Sequence, residues 1–151
     1  MLPKRILVAT DFSDTSDHAL DYAIELAKSL GADVTVMHAY ELPVYGFPDG
    51  AMIATVEMAT RLMNAAQDAL GKTCEARAGR GVKLARVLRQ GVAWEEIHSV
   101  AEEIGADLIV VGTRGRKGLA HALLGSVAEK VIRTATRPVL TIHAAPASKK
   151  E

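Results

Sequence analysis

Two short apolar runs constrain this chain more than any other feature. Ile6-Leu7-Val8-Ala9 and Leu108-Ile109-Val110-Val111 are aliphatic throughout and follow neither a two-residue nor a 3.6-residue period. A strand with one wet face alternates apolar and polar residues; a short run without alternation is apolar on both sides and needs cover on both. Stretches with helical spacing stand between such runs. Ala19, Leu20, Ala23, Ile24, Ala27 and Leu30 form one apolar face from Thr15 to Leu30, with Ser13 or Asp14 available as cap and Gly31 as stop. The whole chain reads as strands at Lys4–Thr10, Asp33–Ala39, Val82–Arg89, Leu108–Val111 and Val139–Ile142. Helices are expected over Thr15–Leu30, Ala51–Arg77 and Trp94–Ile104, and from Ser126 onward. Strands alternating with helices predict an α/β fold, a single doubly wound parallel sheet with helices on both faces and right-handed crossovers.

Finer expectations follow from residue types. In the second helix Ile53, Val56, Met58, Met63, Ala66 and Leu70 supply the apolar face, and Gly71 falls inside it at a cost of ~1 kcal/mol relative to alanine. Gly79 and Gly81 close that helix. Val82–Arg89 mixes apolar and charged residues and suits an edge strand open to water on one face. The last helix is expected to turn Val127, Val131 and Ile132 inward, and Pro138 forces an extended start on the final strand. Val44–Gly50 reads as an irregular loop and the last residues as a frayed tail, giving one domain over 1–144 and a disordered segment over 145–151.

The charge balance narrows the function classes. Lys+Arg and Asp+Glu number 18 each, and aromatics are 4%, which argues against a dedicated nucleic-acid binder. No apolar run approaches the ~20 residues that span a bilayer, and Met1–Ser13 lacks a secretory pattern, so a cytoplasmic location without membrane association is expected. Cys74 is the single cysteine, which excludes a disulfide within the chain; it sits in what reads as a polar helix tail and is expected to be incidental.

The chemistry concentrates after the run that ends at Val111. Gly112, Gly115, Gly118 and Gly125 follow it, with Thr113 and Ser126 beside two of them and Arg114, Arg116 and Lys117 on the same loop. Glycine backbone admits a close ligand, and the first N–H groups of the helix that follows have no intrahelical partner. Strand, glycine loop and helix start together make a phosphate cradle by mechanism; the plainer reading is that the glycines only make turns. The spacing matches neither GxxxxGK[ST] nor GxGxxG. In doubly wound sheets ligands lie beyond the carboxyl ends of strands where the strand order reverses, so the loop after the first strand, with Thr10 and Asp11, and the glycine loop would share one site.

Gly112-x2-Gly115-x9-Gly125-Ser126 resembles the nucleotide-binding signature of the universal stress protein family. Ala9–Ser13 (ATDFS), His38-Ala39, Gly91–Ile97 and Arg137–Ile142 (RPVLTI) are similar to further segments of that family, so the resemblance spans essentially the whole chain. It implies a flavodoxin-like or Rossmann-like sheet of order 3-2-1-4-5 and ATP binding, with magnesium carried on the nucleotide phosphates. Carried over by position, it implies that Asp11 binds the ribose hydroxyls and that Ala9, Thr10, Ala39 and Val92 wall the adenine. Val111 and Gly112 would lie along the nucleoside, and Gly115, Arg116, Gly125, Ser126 and Val127 would hold the phosphates. Ala9 stands where some nucleotide-binding members have proline, and it keeps that wall small and apolar.

The plainer alternatives are specific. Asp11 could cap the first helix, although Ser13 and Asp14 are available for that. His38 reads as a satisfied core histidine, Trp94 as cover for a core edge, and Arg114 and Lys117 as a solvated face. His18, His98 and His143 lack metal-ligand spacing, and His121 has no evident general-base role. No GxSxG, HExxH or paired catalytic carboxylates stand near the glycine loop, so the site is expected to hold a nucleotide rather than turn it over. The expected function is an ATP-binding sensor or regulatory protein acting on a downstream protein partner. The alternatives are a slow magnesium-dependent ATP hydrolase and a nucleotide-free interaction protein. Val139–Ile142, last in the chain and uncharged, is expected to pair with its own copy in a homodimer.

Overall fold

A computed structural model describes residues 1–43, 55–114 and 124–143. The elements alternate along the chain as β1 (Arg5–Ala9), α1 (Asp14–Leu30), β2 (Asp33–Tyr40), α2 (Val56–Glu75), β3 (Leu84–Gln90), α3 (Ala93–Glu103), β4 (Leu108–Gly112), α4 (Ser126–Thr134) and β5 (Val139–Ile142). The five strands form one parallel sheet in the order β3-β2-β1-β4-β5, as expected. β1 is the strand at which the order reverses: it pairs with β2 from Arg5 opposite Asp33 to Ala9 opposite Met37, and with β4 from Ile6 opposite Leu108 to Val8 opposite Val110. The two non-alternating runs are therefore adjacent at the centre, and Ile6, Leu7, Val8, Ile109 and Val110 are wholly buried.

The alternation of side chains sorts the core into two layers. Ile6, Val8, Val34, Val36 and Val110 pack under α1 and the end of α2. Leu7, Met37, Ile109 and Val111 pack under α3 and α4. α1 is set by its sequence at both ends. Ser13 caps it by accepting from Ser16 N, and Gly31, at φ 62, takes the left-handed conformation that closes it and donates to the Ala27 carbonyl.

α2 runs through Gly71, as expected, and that glycine is buried; a Cβ there would stand 3.0 Å from Arg86 Nη1, so the glycine makes room for a neighbour. Three expectations need correction. α2 buries only its second half, through Ala66, Leu70 and Cys74, while Val56 is 85% exposed and Met63 is exposed too. Cys74 is thus a core residue rather than part of a polar tail, and burial pushes its thiol pKa up. In α4 the inward residues are Ala128 and Val131; Val127 and Ile132 flank them and are exposed. A nine-residue helix on an outer strand covers the sheet with a narrow stripe, and the small Ala128 lets it approach closely. The expectations for Val44–Gly50 and for the tail from Ala144 lie outside the described residues.

Polar contacts fasten the layers away from the carboxyl ends of the strands. Asp107 Oδ2 accepts from the backbone N–H groups of Lys4 and Arg5, both at 2.9 Å, tying the start of β1 to that of β4. The bonds from Lys4 and then Arg5 hold the Asp107 carboxyl below its usual range. The largely buried Arg77 fastens α2 to α1: Nε donates to Asp21 Oδ1 at 2.7 Å, Nη2 to Asp21 Oδ2 at 3.3 Å and Nη1 to the Thr73 carbonyl at 2.9 Å. Arg80 adds a 2.8 Å contact to the same Asp21 oxygen.

These contacts separate two neighbouring carboxylates. At Asp21 burial raises the pKa, but the hydrogen bonds and charges of Arg77 and Arg80 outweigh it and the carboxyl titrates below its ordinary value. At Asp17 burial dominates and the carboxyl titrates above its ordinary value. A depressed carboxyl contributes stability that is complete above its unfolded pKa, about 3.9, and is lost as pH falls through the folded value. A raised one acts in the opposite sense and opposes folding once both states are ionised. Asp21→Asn should therefore lower stability at pH 7 by about 1 kcal/mol, a charged hydrogen bond discounted for partial exposure, and flatten the acid limb of the stability curve. Asp17→Asn should leave stability at pH 7 equal or higher. Urea titrations between pH 2.5 and 7 measure both, and a loss of equal size in the two variants would contradict this assignment.

Candidate functional site

β1 and β4 both end at the switch point, and each end is built for a different task. At the end of β1 every polar group of Thr10 is engaged. Its N–H donates to the Met37 carbonyl at 2.9 Å. Its carbonyl lies 2.7 Å from His38 Nδ1. Its hydroxyl lies 3.1 Å from Ser16 Oγ and accepts from Phe12 N–H at 3.0 Å. The side chain is buried, so Thr10 serves as a strut, and its share of any ligand wall falls to its backbone.

The chain then turns sharply through Asp11 and Phe12. Asp11 Oδ1 accepts from Ser13 N–H at 3.0 Å, and the Ser13 hydroxyl donates to the same oxygen. This Asx turn settles the choice of cap: Ser13 caps α1, and Asp11 orients Ser13. Phe12 stands at φ 64, the one non-glycine residue with positive φ among the described residues. A bulky side chain in that conformation costs of order 1–3 kcal/mol and persists only where surrounding contacts fix it. Here the fixing contacts are the N–H bond to Thr10 and the His38 ring, whose centroid lies 4.3 Å from that of Phe12. His38 is accordingly the satisfied, half-buried histidine that its strand position suggested.

The end of β4 leads to the start of α4. Thr113 N–H donates to the Ile142 carbonyl at 3.0 Å, and Gly125 N–H donates to the Thr113 carbonyl, which seats the start of α4 directly on the end of β4. Gly125 is the N-cap of α4 with φ −69 and ψ 160, and no side chain caps the helix. The first-turn acid, Glu129, is held by Arg133 at 2.8 Å. The other helix starts differ. α1 has a Ser13 cap with Asp14 and Asp17 in its first turn, α2 has a Thr55 cap with Glu57, and α3 has Glu95 and Glu96. Each helix start concentrates positive partial charge on outward N–H groups. α4 is the one of the four whose start has neither a side-chain cap nor an uncommitted acid in its first turn.

The sheet sorts the remaining sequence candidates by face. Ala9, Ala39 and Val111 belong to the layer of α3 and α4, the layer in which α4 begins. Ala9 and Ala39 are half-buried at the strand ends, whereas Val111 is buried core and can offer a ligand only its backbone. Val92, the N-cap residue of α3, and Val127, in the first turn of α4, are both exposed. Gly112 faces the other way. A Cβ on it would stand 3.0 Å from Thr15 Cγ2 and 3.3 Å from Ser16 N, so its missing side chain admits the first turn of α1. The glycine is needed by packing, independent of any ligand. Gly115, Arg116, Lys117, Gly118 and His121 lie outside the described residues. Among the described residues no group of three or more His, Cys, Asp or Glu side chains is placed to hold a metal ion. His98 instead lies 2.6 Å from Thr134 Oγ1 through Nε2, with Trp94 beside it and Lys130 over the Trp94 ring, which joins α3 to α4.

Sequence reasoning took Asp11 singly and His38 as core, and did not join them through Phe12. A readable signal was present: Asp-x-Ser before a helix favours an Asx turn, which bends the chain at the intervening residue.

The same fold recurs in known proteins. A model of the universal stress protein family matches residues 3–143. The universal stress protein MJ0531 of Methanocaldococcus jannaschii is 40% identical over 143 residues, covering 93% of this chain and 82% of its own. The solved structure of MJ0577, from the same organism, superposes with a TM-score of 0.80 at 28% identity, covering 95% of this chain and 98% of that one. A universal stress protein solved in complex with cAMP superposes with a TM-score of 0.69 at 27% identity, covering 96% and 100%.

Gly112→Ala tests the packing role of that glycine. The close atoms include the backbone of Thr15 and Ser16, which cannot rotate away. The variant should lose about 1–3 kcal/mol in chemical denaturation, the usual cost of overpacking. Unchanged stability would mean that the first turn of α1 yields.

Proposed function

Because the chain belongs to the universal stress protein family, we propose that it is a nucleotide-holding regulatory or sensor protein, with ATP as ligand. The nucleotide lies across the carboxyl ends of β1 and β4. The observation that carries this reading is the start of α4, without a side-chain cap and seated on the end of β4, beside a β1 end that presents a carboxylate. Anions favour such N–H groups. The Ser126 hydroxyl adds a donor, Gly125 contributes a backbone without a Cβ, and Arg114, the last described residue of the loop, adds charge. Asp11 accepts hydrogen bonds and suits ribose hydroxyls. Ala9, Ala39 and Val92 are small or exposed apolar residues of the kind a flat base packs on. The relative solved with cAMP supports an adenine nucleotide as the ligand class. Gly115 and Arg116 complete the phosphate side in this reading, and magnesium would arrive with the phosphates.

Edge strand β5 extends the proposal to a homodimer. Val139–Ile142 carry no charge and are half-buried, Pro138 blunts only the start of the strand, and Ile132 is exposed on the adjoining α4. Two such edges pair antiparallel about a two-fold axis and close the assembly.

Two measurements test these readings. Nucleotide released from purified protein by denaturation should be intact ATP, and Gly125→Val should abolish ATP binding in calorimetric titration while the protein stays folded. Valine is at ease at φ −69 and ψ 160, so the backbone at that position accepts the substitution without strain. Unchanged affinity in a folded Gly125→Val variant would refute the phosphate assignment. Light scattering at micromolar concentration should give a dimer, and Ile142→Lys, checked for folding by its thermal transition, should give a monomer. A wild-type monomer at every concentration would refute the edge pairing.

A further inference from the structure

The end of β1 carries a second layer of design behind Asp11. The Thr10 carbonyl can only accept, so the ring nitrogen 2.7 Å away, His38 Nδ1, must donate to it. That bond fixes the plane of the Thr10–Asp11 peptide. The ring of His38 also packs on Phe12 at a 4.3 Å centroid separation and a 41° tilt. Phe12 is the residue held at φ 64, directly after Asp11. Its own N–H returns to Thr10 Oγ1, so the residues on both sides of Asp11 are fastened, Thr10 through its carbonyl and Phe12 through its ring, and both fastenings involve His38. A turn strained at Phe12 would relax if either fastening were lost, and the Asp11 carboxylate would move with it.

We propose that His38 is a positioning residue for the nucleotide site. Its Nδ1–H clamps the Thr10 carbonyl and its ring seats Phe12, so that the strained turn presents the Asp11 carboxylate to the ribose hydroxyls. This inference rests on the ribose role of Asp11 proposed above. It assigns a task to a side chain that lies on the opposite face of the sheet from Ala9 and Ala39. His38 and Phe12 side with the α1 layer, whereas those alanines side with α3 and α4. The need is for an N–H at the Nδ1 position, which two amide side chains can separate. Asparagine places its amide nitrogen where Nδ1 stands, and glutamine places its own one bond further out, near Nε2.

ATP titration calorimetry on wild type, His38→Asn, His38→Gln and His38→Leu, with thermal denaturation of each, tests the inference. His38→Asn should bind within about two-fold of wild type, and His38→Gln and His38→Leu should bind about ten-fold more weakly, the effect of one well-placed hydrogen bond. In an Asp11→Asn background the same His38→Leu change should cost less than two-fold, because His38 acts through that carboxylate. Phe12→Gly, which accepts φ 64 without strain but gives the ring nothing to seat, should stay folded and also weaken binding. Wild-type affinity in His38→Gln and His38→Leu would overturn the inference. So would equal weakening in His38→Asn and His38→Gln, or an undiminished His38→Leu effect in the Asp11→Asn background. Absence of ATP binding by wild type would instead overturn the proposed function, and the inference with it.

Discussion

The structure depends on one buried strand being shared by two partners. β1 hydrogen-bonds to β2 on one side and β4 on the other, and its middle residues Ile6, Leu7 and Val8 are closed off on both faces. A parallel strand in that position needs a helix layer above and below, because its backbone is satisfied only in the plane of the sheet. The two core layers follow from this requirement, and so does the reversal of strand order at β1. Where the order reverses, the connections leave in opposite directions and open a crevice between the strand ends. The Asx turn of Asp11 and the start of α4 follow the carboxyl ends of adjacent strands because β1 and β4 pair, although they are far apart in the chain.

Electrostatics then divides the two ends of the sheet by purpose. At the starts of the strands, charge is spent on fastening: Asp107 on the β1 backbone, Lys4 on the Leu30 carbonyl and Arg137 on the Ala106 carbonyl. At the carboxyl ends, the helix dipoles of α1 and α3 are answered by their own acids, whereas α4 has no side-chain cap and its first-turn acid Glu129 is paired with Arg133. Had Gly125 been serine or aspartate, α4 would have been better capped as a helix and a poorer seat for an anion.

Most of the fold was legible in the sequence because it rests on local signals. The non-alternating runs, the helical spacing of Ala19 to Leu30 and the stop at Gly31 each act over a few residues. The strand order came from the family resemblance rather than from periodicity, which does not encode it. What failed was burial at the periphery. Val127, Ile132, Val56 and Met63 obey helical spacing, yet an outer helix covers less sheet than its apolar residues would fill. At Gly112 spacing reveals that a Cβ is missing, not which neighbour needs the room; Thr15 and Ser16 need it, and that comes from tertiary packing. The partnership of His38 with Thr10 spans 28 residues of sequence and depends on the register of β1 against β2, so no local pattern could carry it.

Cys74 gains a use from where it sits. Its thiol is sealed beneath the last turns of α2, beside Leu70 and the α1 layer, three residues before the arginine that binds α2 to Asp21. A thiolate reagent reaches it only when α2 lifts from α1 or the whole chain opens. The chain has no second cysteine, so any labelling reports that one event. The protein thus contains a built-in clock for the opening of its α1/α2 layer, on the face of the sheet away from the bare helix start. Modification rates measured over a denaturant series would separate local lifting of α2 from global unfolding, site by site, without introducing a probe.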